Sequence, residues 1–194
     1  YKSSVQSEVN NALKLCIQNI SSRISCNRYN WNEPIDLEVI RVSTKNGDAL
    51  IRIYDTNGLE TCLGSNKLYA SMADAAIFVI DAKETQISCF QEGSYDLNHS
   101  LLNMVLDKKN CLLYLDLNKI DLGFTNKVEE LQEFADKYKM KIFQTSIYDL
   151  DSVNLMFDSV IKDITTKFPY IPQDNEDDQS NAKNDTSKDS CLIF

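Results

Sequence analysis

The sequence predicts a doubly wound α/β fold, a mostly parallel sheet with helices on both faces, and three observations carry that expectation. Cys111 to Leu115 is apolar at every position and Ala75 to Asp81 nearly so, which is the pattern of strands buried on both faces. Such runs alternate with segments whose apolar residues recur at helical spacing, and repeated alternation of strand and helix means a parallel sheet with crossover helices. Finally, the strands Ala49 to Tyr54, Cys111 to Leu115 and Lys141 to Gln144 run into polar loops at Asp55 to Glu60, Asn118 to Asp121 and Thr145 to Tyr148. In a parallel sheet those loops lie along one edge, where open α/β sheets bind their ligands.

Taken in order, Val5, Val9, Leu13, Cys16, Ile17 and Ile20 mark a first helix. Residues 21 to 34 are polar and irregular, with Trp31 and Pro34 as punctuation. Ile35 to Tyr54 reads as a hairpin around the turn signal Asn46-Gly47. Ser65 to Met72 is a short helix. Gln91 to Leu106 is a longer one, with its apolar face at Tyr95, Leu101, Leu102 and Val105. The single histidine, His99, falls on that helix away from every polar loop and reads as a surface or satisfied group. Val128, Leu131, Phe134, Ala135 and Tyr138 mark the next helix. Val153, Met156, Phe157, Val160, Ile161 and Ile164 mark a last one, expected to cover the outer face of the sheet.

A chain of 194 residues, 43% hydrophobic, suits one domain with its own core and a tail. The net charge of −9 argues against a nucleic-acid partner, which would want a basic stripe. Six cysteines, at 16, 26, 62, 89, 111 and 191, form no CxxC pair. Without a signal-peptide pattern this points to a reducing, cytosolic setting, with Cys16 and Cys111 as small core residues. No run approaches the length of a membrane span.

The polar loops carry a resemblance. Asp55-Thr56-Asn57-Gly58-Leu59-Glu60 resembles the DTAGQE motif, Asn118-Lys119-Ile120-Asp121 the NKxD motif and Thr145-Ser146-Ile147 the TSA motif of the Ras superfamily of small GTPases, most closely its Rab branch. Order and separations also fit, over roughly residues 1 to 168. Tyr1-Lys2-Ser3-Ser4, ahead of the first helix, resembles the end of a GxxxxGKS phosphate loop. The resemblance implies a Ras-like P-loop GTPase sheet that binds GTP or GDP with Mg2+. It implies that Lys2 and Ser3 meet the phosphates, that Ser3 and Asp55 hold the magnesium, and that the Gly58 N–H senses the terminal phosphate. On the base side it implies that Asp121 accepts two hydrogen bonds from guanine, Lys119 lies over the ring and Asn118 ties the loops together. The loop Thr145-Ser146-Ile147 then reads the guanine O6 through a backbone N–H near Ile147.

Four positions depart from the pattern. Tyr1 stands where the second glycine of the phosphate loop belongs, and a Cβ with an aromatic ring obstructs the close backbone approach that this glycine permits. Asn32 falls near the threonine that contacts both magnesium and the terminal phosphate, and Asn57 replaces the alanine of DTAGQE. Leu59 occupies the place of the glutamine that orients the attacking water; leucine has no donor or acceptor, so slow hydrolysis is expected and no catalytic residue is assigned. The strand ahead of the phosphate loop is missing from the chain. In a Ras-like sheet it lies between the strand ending at Asp55 and the strand ending at Asp81. The expectation is therefore an unfilled slot, or distorted pairing, between Leu50–Tyr54 and Ile77–Ile80, in a chain unstable alone.

From Pro169 the composition changes: residues 173 to 190 hold six acids and two lysines with no aromatic or branched apolar residue, which reads as a disordered acidic tail over 169 to 194. It ends in Cys191-Leu192-Ile193-Phe194, a CaaX pattern that makes Cys191 a prenylation candidate and, with Phe last, favours geranylgeranyl. The acidic stretch would be repelled by anionic lipid, so one chain would anchor it reversibly. Together these imply a membrane-anchored guanine-nucleotide switch in vesicle traffic, working as a monomer on the cytoplasmic face of intracellular membranes with a cytosolic pool. Effector and exchange proteins would meet the 21–34 and 57–72 loops. The alternative is a non-enzymatic interaction module of the same shape. A flavodoxin-like or nucleotide-sugar enzyme would need a glycine-rich loop elsewhere, and the five glycines do not cluster.

Overall fold

The computed structural model of the chain describes residues 35–44, 47–56, 63–83, 90, 97–108, 110–124, 128–169 and 189–193. The expected first helix, the 21–34 loop, the Asn46 position of the hairpin turn and the 170–188 part of the tail lie outside the described residues. The elements are β1 (Ile35–Thr44), β2 (Gly47–Thr56), α1 (Leu63–Met72), β3 (Ala75–Asp81), α2 (Leu97–Asp107), β4 (Leu112–Asn118), a 3-10 turn (Ile120–Leu122), α3 (Val128–Tyr138), β5 (Lys141–Gln144), α4 (Leu150–Lys167) and β6 (Asp189–Ile193). They form a six-stranded sheet in the order β1-β2-β6-β3-β4-β5. β1 and β2 make the expected hairpin, antiparallel from Ile35 opposite Thr56 to Thr44 opposite Gly47, and every other pairing is parallel.

Alternation along the strands builds two cores, one on each face. Ala76, Phe78 and Ile80 of β3 and Leu115 and Leu117 of β4 pack with Ala70 of α1, Leu101, Leu102 and Val105 of α2, and Leu131, Phe134 and Ala135 of α3. The opposite face sets Ile51 and Ile53 of β2, Ala75 and Ile77 of β3 and Tyr114 of β4 against Met156, Phe157, Val160, Ile161 and Ile164 of α4. Of the apolar positions read as helix faces, Leu101, Leu102, Val105, Leu131, Phe134, Ala135, Met156, Phe157, Val160, Ile161 and Ile164 are buried here, since only that side of each helix meets the sheet. Asp149 caps α4, its side chain accepting from the Ser152 N–H. Cys111 is partly buried against the first core, and His99 shares a 3.1 Å hydrogen bond with Asn103 one turn on.

The slot between β2 and β3 does not stand as the sequence led us to expect. β6 enters it, pairing with β2 from Leu50 opposite Asp189 to Tyr54 opposite Ile193, and with β3 at Ala75 opposite Leu192 and Ala76 opposite Ile193. The residues read as the end of a disordered tail are thus a central strand. Two buried strands that share no neighbour leave rows of N–H and C=O groups unpaired, and each buried orphan costs about 1 to 3 kcal/mol. A five-residue segment with Leu192 and Ile193 at its end satisfies them. The filling is incomplete: among the described residues no strand pairs with Ile77–Ile80 on that side. Val79 at this level is 48% exposed, whereas Ala75 and Ile77 below it are buried.

Candidate functional site

Six of the residues singled out from sequence, Asn118, Lys119, Asp121, Thr145, Ser146 and Ile147, lie where β4 and β5 end. Asn118 closes β4, and the chain turns at once through Lys119, whose backbone is left-handed (φ 61°, ψ 36°), into the 3-10 turn carrying Asp121. A non-glycine residue in that region costs about 1 kcal/mol or more and persists only where its surroundings fix it. They do so here: the Ile120 N–H donates to the Thr145 carbonyl at 3.3 Å, the Leu122 N–H to the Lys119 carbonyl at 3.0 Å, and the Thr145 N–H to the Leu117 carbonyl at 3.0 Å.

Side chains tie the two loops a second time. The Asn118 Nδ2 donates to Thr145 Oγ1 at 2.8 Å, and the Thr145 hydroxyl donates onward to Asp116 Oδ2 at 2.7 Å. Ser146 Oγ donates to Asp121 Oδ1 in a short hydrogen bond and accepts from the Tyr148 N–H at 3.1 Å. The Ser146 N–H in turn donates to Ser152 Oγ at 3.2 Å, on the first turn of α4. Thr145 and Ser146 are buried, while Lys119, Asp121 and Ile147 are exposed. The result is a rigid buried base of hydroxyls and amides that presents a carboxylate, an ammonium and one backbone loop to solvent. Lys119 Nζ lies 2.8 Å from Asp81 Oδ2, so the end of β3 joins the same edge.

Asp55 stands near the end of β2, half-buried and opposite Asp36 of β1, with β6 and β3 between it and β4. Lys2, Ser3, Asn32, Gly58 and Leu59 lie outside the described residues. Cys191 lies within β6, opposite Arg52. Among the described residues no three His, Cys, Asp or Glu side chains cluster to hold a metal, and no helix is long and apolar enough to cross a membrane.

Two residues of this edge escaped the reading of the sequence. Asp81 could have been noticed as the polar end of an apolar strand, which is where ligand-site residues fall. Asp116 could have been noticed as a charge in the middle of a strand whose neighbours are buried. It is itself only 2% exposed, flanked in register by Val79 and Phe143. Burial pushes its carboxyl up to about 6, against the opposing pull of the Thr145 hydroxyl and the Asn118 amide.

Comparison with known proteins covers most of the chain, though the family model begins after the Tyr1–Ser4 segment. The Ras family model matches residues 25–166. Among curated proteins, the Ras-related protein Rab-25 of Bos taurus is 28% identical over 165 residues, covering 81% of this chain and 74% of that protein. RabH of Dictyostelium discoideum is 26% identical over 147 residues, covering 74% and 71%. Rab-11A of the same organism is 24% identical over 153 residues, covering 75% and 69%.

Proposed function

Since the chain belongs to the Ras family, and so to the small GTP-binding switches, we propose that it is a Rab-like member. In this reading it holds guanine nucleotide on the loops after β4 and β5, hydrolyses it slowly and works on membranes of the vesicle-traffic system. The observation that carries the reading is the network joining Asn118 to Thr145 and Asp121 to Ser146. It fixes two loops from different strands against each other and leaves the Asp121 carboxylate at the surface.

That donor set fits guanine. A carboxylate accepts from both the N1–H and the 2-amino group of the base, and adenine offers it no such pair, so a site built around Asp121 discriminates strongly. The Ser146 hydroxyl engages Oδ1 and thereby aims the carboxylate. The stem of Lys119 covers the ring, and a backbone N–H near Ile147 reads O6, a contact indifferent to the replacement of alanine by isoleucine. On the phosphate side, Lys2 would neutralise phosphate charge, the Ser3 hydroxyl would bind there, and the Gly58 N–H would meet the terminal phosphate. Ser3 and, through water, Asp55 would hold Mg2+, whereas Asn32 offers a carbonyl oxygen but not the hydroxyl of the family's threonine. Magnesium bound there would neutralise the phosphate charge. Leu59 offers the attacking water nothing, which makes hydrolysis slow.

Membrane attachment through a prenyl group on Cys191 belongs to the same reading, with the protein a monomer that meets effectors through 21–34 and 57–72. It requires β6 to leave the sheet, because the residues of the lipidation motif are in use as a strand. The test is nucleotide content: the full-length protein is denatured and its supernatant chromatographed. Stoichiometric GDP or GTP is expected. An empty site would favour the second reading, a binding module of GTPase shape, for which the replacement of the water-orienting glutamine by Leu59 already speaks.

A further inference from the structure

Asp116 is a buried acid in a strand interior, and resting on the guanine-site reading above, its geometry has a use. Thr145 Oγ1 stands between two partners, 2.8 Å from Asn118 Nδ2 and 2.7 Å from Asp116 Oδ2. A hydroxyl has one proton to give. The carboxylate can only accept it, and this obliges the threonine oxygen to present its lone pairs to the Asn118 amide. The other carboxylate oxygen, Oδ1, is buried with no hydrogen-bond partner. An acid kept in that almost fully buried position, flanked in register by Val79 and Phe143, is a cost to the fold with no return in packing.

We propose that Asp116 is a positioning residue for nucleotide binding: by taking the Thr145 hydroxyl proton it sets the orientation of Thr145 and, through it, of the Asn118 amide, holding the β4 and β5 loops in the arrangement that receives the base. Asp116 does not touch the ligand. Its effect passes along the chain Asp116–Thr145–Asn118, and any side chain that accepts at the Oδ2 position reproduces it. Without an acceptor the Thr145 hydroxyl is free to turn its proton toward Asn118, and the amide loses its fixed partner.

The experiment compares the full chain with Asp116→Asn, which keeps an oxygen to accept from Thr145, and Asp116→Val, which keeps the approximate volume and removes the acceptor. Two measurements are made: the Asn118 side-chain amide resonances of the nucleotide-free protein, and the affinity for fluorescently labelled GDP. The expected result is displaced Asn118 resonances and about five- to tenfold weaker GDP binding in Asp116→Val, with Asp116→Asn close to the parent in both; one lost hydrogen bond is of that size. Equal affinity and unmoved resonances in Asp116→Val overturn the positioning role and leave the guanine site standing. Equal loss in both variants overturns it as well, since then the acceptor is not what matters. No GDP binding by the parent chain overturns the guanine-site reading and with it any role of Asp116 toward the base.

Discussion

Replacing Asp116 by valine separates what this acid costs the fold from what it does in the site. Its carboxyl is raised from 3.8 to about 6 by burial. Keeping it ionised in the folded protein therefore costs about 3 kcal/mol at neutral pH, since each tenfold change in proton affinity corresponds to about 1.4 kcal/mol. The sign follows from the direction: the folded state holds the proton more tightly than the unfolded state. The associated stability is therefore present in full below pH 3.8 and is lost as pH rises through about 6. At pH 5 the folded protein is mostly protonated at this site and the unfolded chain mostly ionised, which relieves about 1 kcal/mol of the penalty present at pH 7. Valine removes the titrating group and gains about 1.5 to 3 kcal/mol of apolar burial. It also leaves the Thr145 hydroxyl without an acceptor, at about 1 to 3 kcal/mol. Those two effects nearly cancel. The variant is thus expected to be about 3 kcal/mol more stable than the parent at pH 7, with the gain smaller by about 1 kcal/mol at pH 5. Urea denaturation of both chains at the two pH values reads this directly, above the isoelectric region near 4.6. A variant less stable than the parent at pH 7, or a difference equal at both pH values, would refute this reasoning.

Two further predictions test other links. Leu59→Gln in the full-length chain should raise single-turnover GTP hydrolysis by at least about tenfold, because it restores a group able to orient water; an unchanged rate would show that another departure, at Tyr1 or Asn32, limits the reaction. Ser190→Pro lies outside the Cys191–Phe194 motif but within β6, opposite Ile51, and proline removes a ladder donor from a central strand. It should speed in-vitro geranylgeranylation of Cys191 severalfold and strip hydrogen-exchange protection from Leu50–Tyr54. No change in either would mean that β6 does not compete with lipidation.

Much of this protein could be read from local pattern, and the reasons are local. The run Ala75 to Ile80, with no polar residue, pointed to a strand buried on both faces, and every position but Val79 is buried. The Asn46-Gly47 signal pointed to a hairpin, whose register a short connection leaves little freedom to change. The 3.6-residue spacing of Met156, Phe157, Val160, Ile161 and Ile164 selected the face of α4 that meets the sheet. The polar ends of the strands carrying Asn118 and Thr145 located the edge of the site, since parallel strands must bring their carboxyl ends to one side.

What tertiary structure decided concerns partners far apart in the chain. Nothing in the string Asp189 to Ile193 says that it pairs with Leu50 to Tyr54, far earlier in the chain; strand pairing depends on which sheet edge lacks a neighbour, and only the assembled sheet defines that. The lipidation pattern and the acidic composition before it spoke for a free tail, and neither registers a row of unpaired N–H and C=O groups elsewhere. Asp116 shows the same limit. As a letter it interrupts an apolar strand, and its use appears only when β5 brings Thr145 to within 2.7 Å. By itself the sequence determined where the polar edge falls, at the ends of the strands leading to Asn118 and Thr145, because residue type and period act along the chain; it did not single out Asp81 or Asp116. The tertiary structure determined which residues there hold one another in place, because hydrogen bonds act at about 3 Å across space, whatever the separation in sequence.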